Sequence, residues 1–154
     1  MSIRPDRTMT RTGQTTARTP HVPLVLALIA AALCLAVAAI HLIDQNGLPG
    51  AKDPSYIGIG YYLLEISAVI IAVLLLAPRT RHSVLIWSVA FFVGLGPIIG
   101  YCLSRGPGLP DYTDDMGNWA EPLGVIGLVV EALLLAVSLL GVTRAKAQDT
   151  DATL

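Results

Sequence analysis

The stretch IGIGYYLLEISAVIIAVLLLA, residues 57–77, decides the fold of this chain of 154 residues. It contains one acidic residue, Glu65, and is otherwise apolar enough to cross a hydrocarbon core of about 30 Å as a helix that rises about 1.5 Å per residue. An unbroken apolar run of this length is typical of a transmembrane helix, and it excludes the short alternating strands of a β-barrel.

Comparable apolar stretches occupy residues 22–43, 83–103 and 121–142. The composition agrees, because 54% of the residues are hydrophobic and only 14% are charged, far from the balance of a soluble domain. Backbone polar groups in lipid must be satisfied within each helix. We therefore predict an all-α, four-transmembrane-helix bundle formed by residues 21–143.

The basic residues predict the orientation of this bundle. Eight of the ten lie before the first span, between the second and third, or after the fourth: Arg4, Arg7, Arg11, Arg18, Arg79, Arg81, Arg144 and Lys146. Because Lys and Arg are enriched in cytoplasmic segments, both termini are expected in the cytoplasm of a bacterial cell with the protein in its plasma membrane. Residues 1–20 and 144–154 are polar and are predicted to be disordered cytoplasmic tails.

The two halves of the chain share a pattern. Glu65 and Glu131 each follow a glycine by seven residues, and a Gly-Leu-Pro sequence follows both the first span, at residues 47–49, and the third span, at residues 108–110. The pattern favours two tandem helical hairpins that arose by duplication and carry one carboxyl group each. Identity within the spans is low, so two unrelated hairpins are the alternative.

Helical spacing predicts where the polar side chains point. In the second span one face is small and polar: Gly58, Tyr61, Tyr62, Glu65, Ala68, Val69 and Ala72. Glu131 lies on a similar face of the fourth span, and His41 lies on the small-residue face of the first. We expect both carboxyl groups to face the bundle interior, within about 10 Å of each other, where they could couple.

Carboxyl groups at this depth have three possible roles. No Lys or Arg shares their depth, so the cost of burying a charge favours the protonated acid. They could pin helices together by hydrogen bonds worth about 1 kcal/mol each, handle protons or cations, or contact a ligand, and Tyr61 and Tyr62 are candidate partners. As a lone histidine in a span, His41 excludes a bis-histidine haem and is interpreted as a hydrogen-bonding group rather than a metal ligand.

The loop after the third span is acidic. Its candidate residues are Arg105, Asp111, Asp114, Asp115 and Glu121. Their spacing is not that of a calcium-binding EF-hand, so we interpret them as a solvated acidic loop that Arg105 could pair with. Asn118 and Glu121 fit a capping box for the fourth helix.

Two features of the third span carry further expectations. Gly96 and Gly100 around Pro97 form a G-x-x-x-G face, which predicts a kinked helix packed closely on a neighbour. Trp87 is expected to be an interfacial anchor near the cytoplasmic end of the bundle.

The exit from the third span and the start of the fourth also carry a resemblance. Ser104-Arg105-x-x-Gly108-Leu109-Pro110, followed by Glu121-Pro122-x-Gly124 and Glu131, resembles the second half of a group of uncharacterised small four-helix membrane proteins common in GC-rich bacteria. Gly106-Pro107 departs from the hydroxyl-bearing pair of that group. The resemblance implies a fold and no activity.

The sequence carries no recognisable motif for catalysis or cofactor binding. It carries no Ser/His/Asp set, phosphate loop, H-E-x-x-H or C-x-x-C, so we predict neither an enzyme nor a bound cofactor or metal, and no binding of nucleic acid. The leading hypothesis is an accessory or interaction subunit of the cell envelope, in contact with the bilayer and with a membrane partner or further copies of itself. The alternative is a small proton-coupled or cation-handling transporter that uses Glu65 and Glu131.

Overall fold

The computed structural model describes residues 21–48 and 52–151. The predicted tail at residues 1–20 lies outside the described residues. Four helices make up most of the described part: α1 Leu24–Asp44, α2 Ser55–Leu76, α3 Val84–Arg105 and α4 Pro122–Asp151.

All four helices are long and apolar enough to cross a membrane. Described residues outside these helices form turns and one isolated bridge, with no strand. This confirms the prediction of an all-helical chain with four membrane-length helices.

The end of α4 differs from the expectation. Residues 144–151 continue the helix instead of forming a disordered tail. Arg144, Lys146 and the intervening alanine have high helix propensity, and Ala145 is fully buried against the bundle. The helix is therefore held by packing beyond its apolar stretch.

The helices pack in a ring. Helix α1 packs extensively on α2 and also on α4, while α3 packs extensively on α4 and less on α2. Helices α2 and α4 do not pack directly on each other. Glu65 and Glu131 therefore stand on helices that are not neighbours.

The half of the bundle nearest the α2–α3 connection is tightly packed. Small residues such as Ala27, Ala68 and Ala90 are fully buried and let the helices approach closely. Trp87 is also fully buried, with its Nε1 donating to Arg81 O at 2.7 Å, so its prediction as an interfacial anchor is wrong. Its ring packs directly on Gly141, because α4 has no side chain at that point.

The exposed side of α2 follows the helical period, but one residue of its predicted inner face is exposed as well. In α2, Leu63, Ile66 and Val73 are exposed, as helical spacing predicts. Val69 was assigned to the inner face, but 45% of its surface is exposed. Successive helical residues are rotated by about 100°, which places Val69 past the edge of the face defined by Glu65 and Ala68.

Candidate functional site

A cavity of about 380 Å³ lies at the end of the bundle that carries the α1–α2 and α3–α4 connections. We call this the loop end. All four helices and the α3–α4 connection line the cavity. Its polar lining comprises His41, Asp44, Tyr56, Tyr61, Tyr101, Ser104, Arg105, Tyr112, Asp115, Glu121 and Glu131.

The cavity exists because α3 carries little bulk at this level. Gly96 and Gly100 line it beside Pro97, and a Cβ atom built on either glycine would meet no atom within 4 Å. The expected close packing of this G-x-x-x-G face is therefore wrong. The close contact of α3 with α4 lies at Gly94, where a Cβ would come within 2.9 Å of the backbone oxygen of Glu131.

Glu131 and His41 meet in the cavity wall. Glu131 is only 4% exposed, and its Oε1 lies 3.8 Å from Nε2 of His41. Nδ1 of His41 is 2.9 Å from Val37 O, and because a carbonyl oxygen can only accept, Nδ1 carries a proton. Nε2 is therefore the histidine atom that can exchange a proton with the carboxyl group.

Asp44 forms a second cluster one helical turn further along α1. It accepts a hydrogen bond from the hydroxyl of Tyr61, and Lys52 Nζ lies 2.9 Å from its Oδ2. The Tyr61 ring also contacts the His41 ring edge to face, with centroids 5.1 Å apart. Tyr61 thus joins the two clusters, whereas Tyr62, the other predicted tyrosine, is half-buried and does not line the cavity.

Arg105 organises the third cluster at the mouth. Its guanidinium lies 3.9 Å from the centre of the Tyr101 ring, 3.4 Å from Asp115 Oδ2 and 3.9 Å from Glu121 Oε2. Burial, reinforced by the hydrogen bond to Asp115, raises the pKa of Tyr112. The predicted pairing of Arg105 with the acidic loop is present, and it holds the loop against the end of α3.

The acidic residues of this loop have different roles. Glu121 accepts hydrogen bonds from the backbone N–H groups of Leu123 and Gly124, so it caps α4 by itself, without the predicted capping box from Asn118. Asp111 and Asp114 are exposed and do not line the cavity. Asp111 occupies a turn at positive φ, a conformation that Asp tolerates better than most residues.

Glu65 has a different environment from Glu131. It is 9% exposed, accepts a hydrogen bond of 2.8 Å from Gln45 Nε2 and does not line the cavity. Gln45 is the C-terminal cap of α1 and lies four residues after His41. His41 faces Glu131, whereas Gln45 binds Glu65, so each glutamate has its own partner. The two carboxyl groups therefore have different partners, and their separation of within about 10 Å stays a prediction.

Sequence reasoning missed part of the site. The sequence patterns pointed neither to Asp44 and Gln45 nor to the tyrosines that line the cavity, Tyr56, Tyr101 and Tyr112. The spacing of His41, Asp44 and Gln45 at the end of α1 was an available signal, since residues three and four apart share a helix face.

No group of three or more His, Cys, Asp or Glu side chains within residues 21–48 and 52–151 is placed to hold a metal ion. Comparisons with models of known protein families, with curated proteins and with solved structures found no match for this chain. The features of the chain that bear on its function are therefore the cavity and the membrane-length helices that enclose it.

Proposed function

We propose that the protein is a small proton-coupled transporter of the membrane, whose solute site is the loop-end cavity and whose proton-exchanging group is Glu131. Glu131 carries this proposal because it is an almost fully buried carboxyl group that lines a cavity between membrane-length helices. Ionisable groups at such positions are costly and mark ion or substrate pathways by default.

The chemistry of the His41–Glu131 pair supports proton exchange. With Nδ1 committed to Val37 O, one further proton placed on either Nε2 or the carboxyl group leaves the pair neutral overall. The 3.8 Å separation is too long for a direct hydrogen bond but is easily closed by a side-chain movement or a bridging water. The pair can therefore gain or lose a proton while the surrounding helices keep their packing.

The shape of the bundle supports a solute site that is reached from one end. Residues of the α3–α4 connection, Leu109, Tyr112 and Asp115, line the cavity, whereas the opposite half is filled by Trp87 and Leu75. Transport requires a second conformation that opens the filled half. Pro97 interrupts the hydrogen bonding of α3 beside the cavity and supplies a position at which that helix can bend.

Glu65 has no part in this proposal. Its hydrogen bond to Gln45 gives it a structural role between α1 and α2. The other hypothesis, an accessory subunit, makes no use of the cavity and predicts a stoichiometric partner on purification from native membranes.

The test is proton flux in vesicles. The full chain is reconstituted into liposomes that enclose a pH-sensitive dye, and a panel of small cations, neutral solutes and anions is added under an imposed pH gradient. We expect at least one solute to drive proton movement with the native protein and with Glu65→Gln, and no such movement with Glu131→Gln. The two variants are matched, because each converts one buried carboxyl group to an amide. Absence of solute-dependent flux with every member of the panel contradicts the proposal.

A further inference from the structure

The hydrogen-bond donors around the cavity are already used by the protein. Each of four tyrosine hydroxyl groups donates to an acceptor of the protein: Tyr56 to Pro110 O, Tyr61 to Asp44, Tyr101 to Trp119 O and Tyr112 to Asp115. Ser104 donates to Tyr101 O, and His41 Nδ1 donates to Val37 O. A ligand that enters finds few donors to satisfy its own acceptors.

Arg105, the remaining strong donor, is also engaged. Its Nε donates to Asn118 O at 3.2 Å, one terminal nitrogen contacts Ser104 Oγ and Asp115, and the other faces Glu121. Its planar face covers the Tyr101 ring. These contacts hold the guanidinium at the cavity wall, where the carboxylates of Asp115 and Glu121 lie beside its charge.

Hydrogen-bond acceptors at the cavity outnumber the donors that remain free. Within the described part of the chain no group donates a hydrogen bond to the carboxyl of Glu131, although only 4% of the residue is exposed. The four tyrosine oxygens and ring faces add further electron-rich surface. The carboxyl group lines the cavity and no protein donor occupies it, so a ligand in the cavity can supply the donor.

The charged groups around the cavity also favour a positively charged ligand. With Glu131 ionised, four carboxylates line the cavity, against the guanidinium of Arg105 and the ammonium of Lys52 that pairs with Asp44. With His41 neutral, the site carries an excess of two negative charges. An anionic ligand would be repelled, and a cation would be attracted.

The volume and the apolar walls of the cavity suit a larger ligand than a bare inorganic ion. The cavity is about 380 Å³, and Ile40, Leu64 and Leu123 contribute apolar surface to it. The described residues provide no cluster of three ligating side chains for a metal ion. A molecule with an apolar body and one positively charged donor fits both parts of the wall.

We propose that the ligand is an organic ammonium ion, a protonated amine whose N–H groups bind Glu131 and whose apolar body lies against the tyrosines. This inference rests on the proposed function and names the solute class of the same cavity. The ammonium donates hydrogen bonds to the Glu131 carboxylate, and the proton shared between Glu131 and His41 leaves through His41 to the solvent. One cation enters for each proton released, so the charge of the site is unchanged. The other ionisable groups that line the cavity are Asp44, Tyr56, Tyr61, Tyr101, Arg105, Tyr112, Asp115 and Glu121.

The test uses three probes that share one carbon ring: cyclohexylammonium, cyclohexanol and cyclohexanecarboxylate. Binding to the full chain in detergent is followed by calorimetry and by the shift in melting temperature, at constant ionic strength. We expect the ammonium alone to bind. Glu131→Gln should weaken its binding by at least about thirtyfold, the usual effect of removing one partner of a buried charge pair. Glu65→Gln should leave binding unchanged.

A second variant tests the same site if Glu131→Gln does not fold. Gly100→Leu fills space where no atom lies within 4 Å of the added Cβ, and it leaves every charge in place. We expect it to block the ammonium by occupying the cavity. Equal binding of the alcohol or the carboxylate, or undiminished binding by both variants, would overturn the ligand assignment. Binding of the ammonium through Glu131 without proton flux in vesicles would instead overturn transport and leave the ligand class standing.

Discussion

Nε2 of His41 lies 3.8 Å from Oε1 of Glu131, and the opposite ring nitrogen is fixed on Val37 O. This relationship connects two helices, α1 and α4, at the wall of a cavity between membrane-length segments. It determines which histidine nitrogen faces the carboxyl group and gives the pair one exchangeable proton. The other buried glutamate, Glu65, accepts a hydrogen bond from Gln45, one turn after His41. It has no histidine partner and does not line the cavity.

The first prediction concerns Glu65 and Gln45. Glu65→Gln keeps an oxygen that accepts from Gln45 Nε2, so we expect its unfolding free energy to change by less than about 0.5 kcal/mol. Gln45→Leu removes the donor from a buried carboxyl group and should cost about 1 kcal/mol or more. Thermal unfolding in detergent measures both. A larger loss for Glu65→Gln than for Gln45→Leu would contradict this structural role.

The packed half of the bundle gives a second prediction. Gly141→Ala places a methyl group into the fully buried ring of Trp87, and overpacking of this kind costs about 1–3 kcal/mol. Gly60→Ala is the control, because its Cβ meets no atom within 4 Å. We expect a lower melting temperature for the first variant and a melting temperature equal to or above that of the native protein for the second. Equal melting temperatures for the two variants would show that α4 does not approach Trp87 this closely.

The helices could be predicted from the sequence because lipid imposes simple rules on them. Each span needs about 20 apolar residues, and the exposed face of α2 follows the helical period from Leu63 to Val73. The burial of Glu65 and Glu131 also follows from that period. These features depend on residues that are close in sequence.

The site could be predicted only in part because it depends on the order of helices around the ring. Two glutamates in matching sequence positions suggested one shared site, but α2 and α4 are not neighbours. Gly96 and Gly100 have the spacing of a close contact, and only the position of the neighbouring helices shows that they border open space instead. The cavity walls from Tyr101 and Tyr112 depend in turn on how the α3–α4 connection folds back over α3.

A third prediction follows from the loop at the cavity mouth. Burial and the hydrogen bond to Asp115 raise the pKa of Tyr112, so its hydroxyl should stay protonated at pH values where an ordinary tyrosine ionises. Its contact with Asp115 is present below the ordinary tyrosine pKa and is lost as the pH rises through the elevated value. The difference in phenolate absorbance between the native protein and Tyr112→Phe should therefore appear only at pH values above the range in which an ordinary tyrosine, with a pKa of about 10, ionises. A difference that titrates in the ordinary range would contradict the buried position.

The orientation of the bundle is a fourth prediction. The placement of Arg and Lys predicts that the α3–α4 loop is outside the cell and that both termini are inside. A cysteine at exposed Asp114, in a background without Cys34 and Cys102, should react in whole cells with a thiol reagent that does not cross membranes. A cysteine at exposed Arg79, in the α2–α3 connection, is the matched control and should react only after the membrane is opened. The reverse pattern would place the cavity mouth in the cytoplasm.

Proton release on cation binding tests the central claim most directly. Calorimetry of cyclohexylammonium binding in buffers of different ionisation enthalpy gives the number of protons that leave the protein with each cation bound. We predict about one proton for the native protein and for Glu65→Gln, because the cation takes the place of the proton shared by Glu131 and His41. Binding of the cation by the native protein with no proton released would contradict the account.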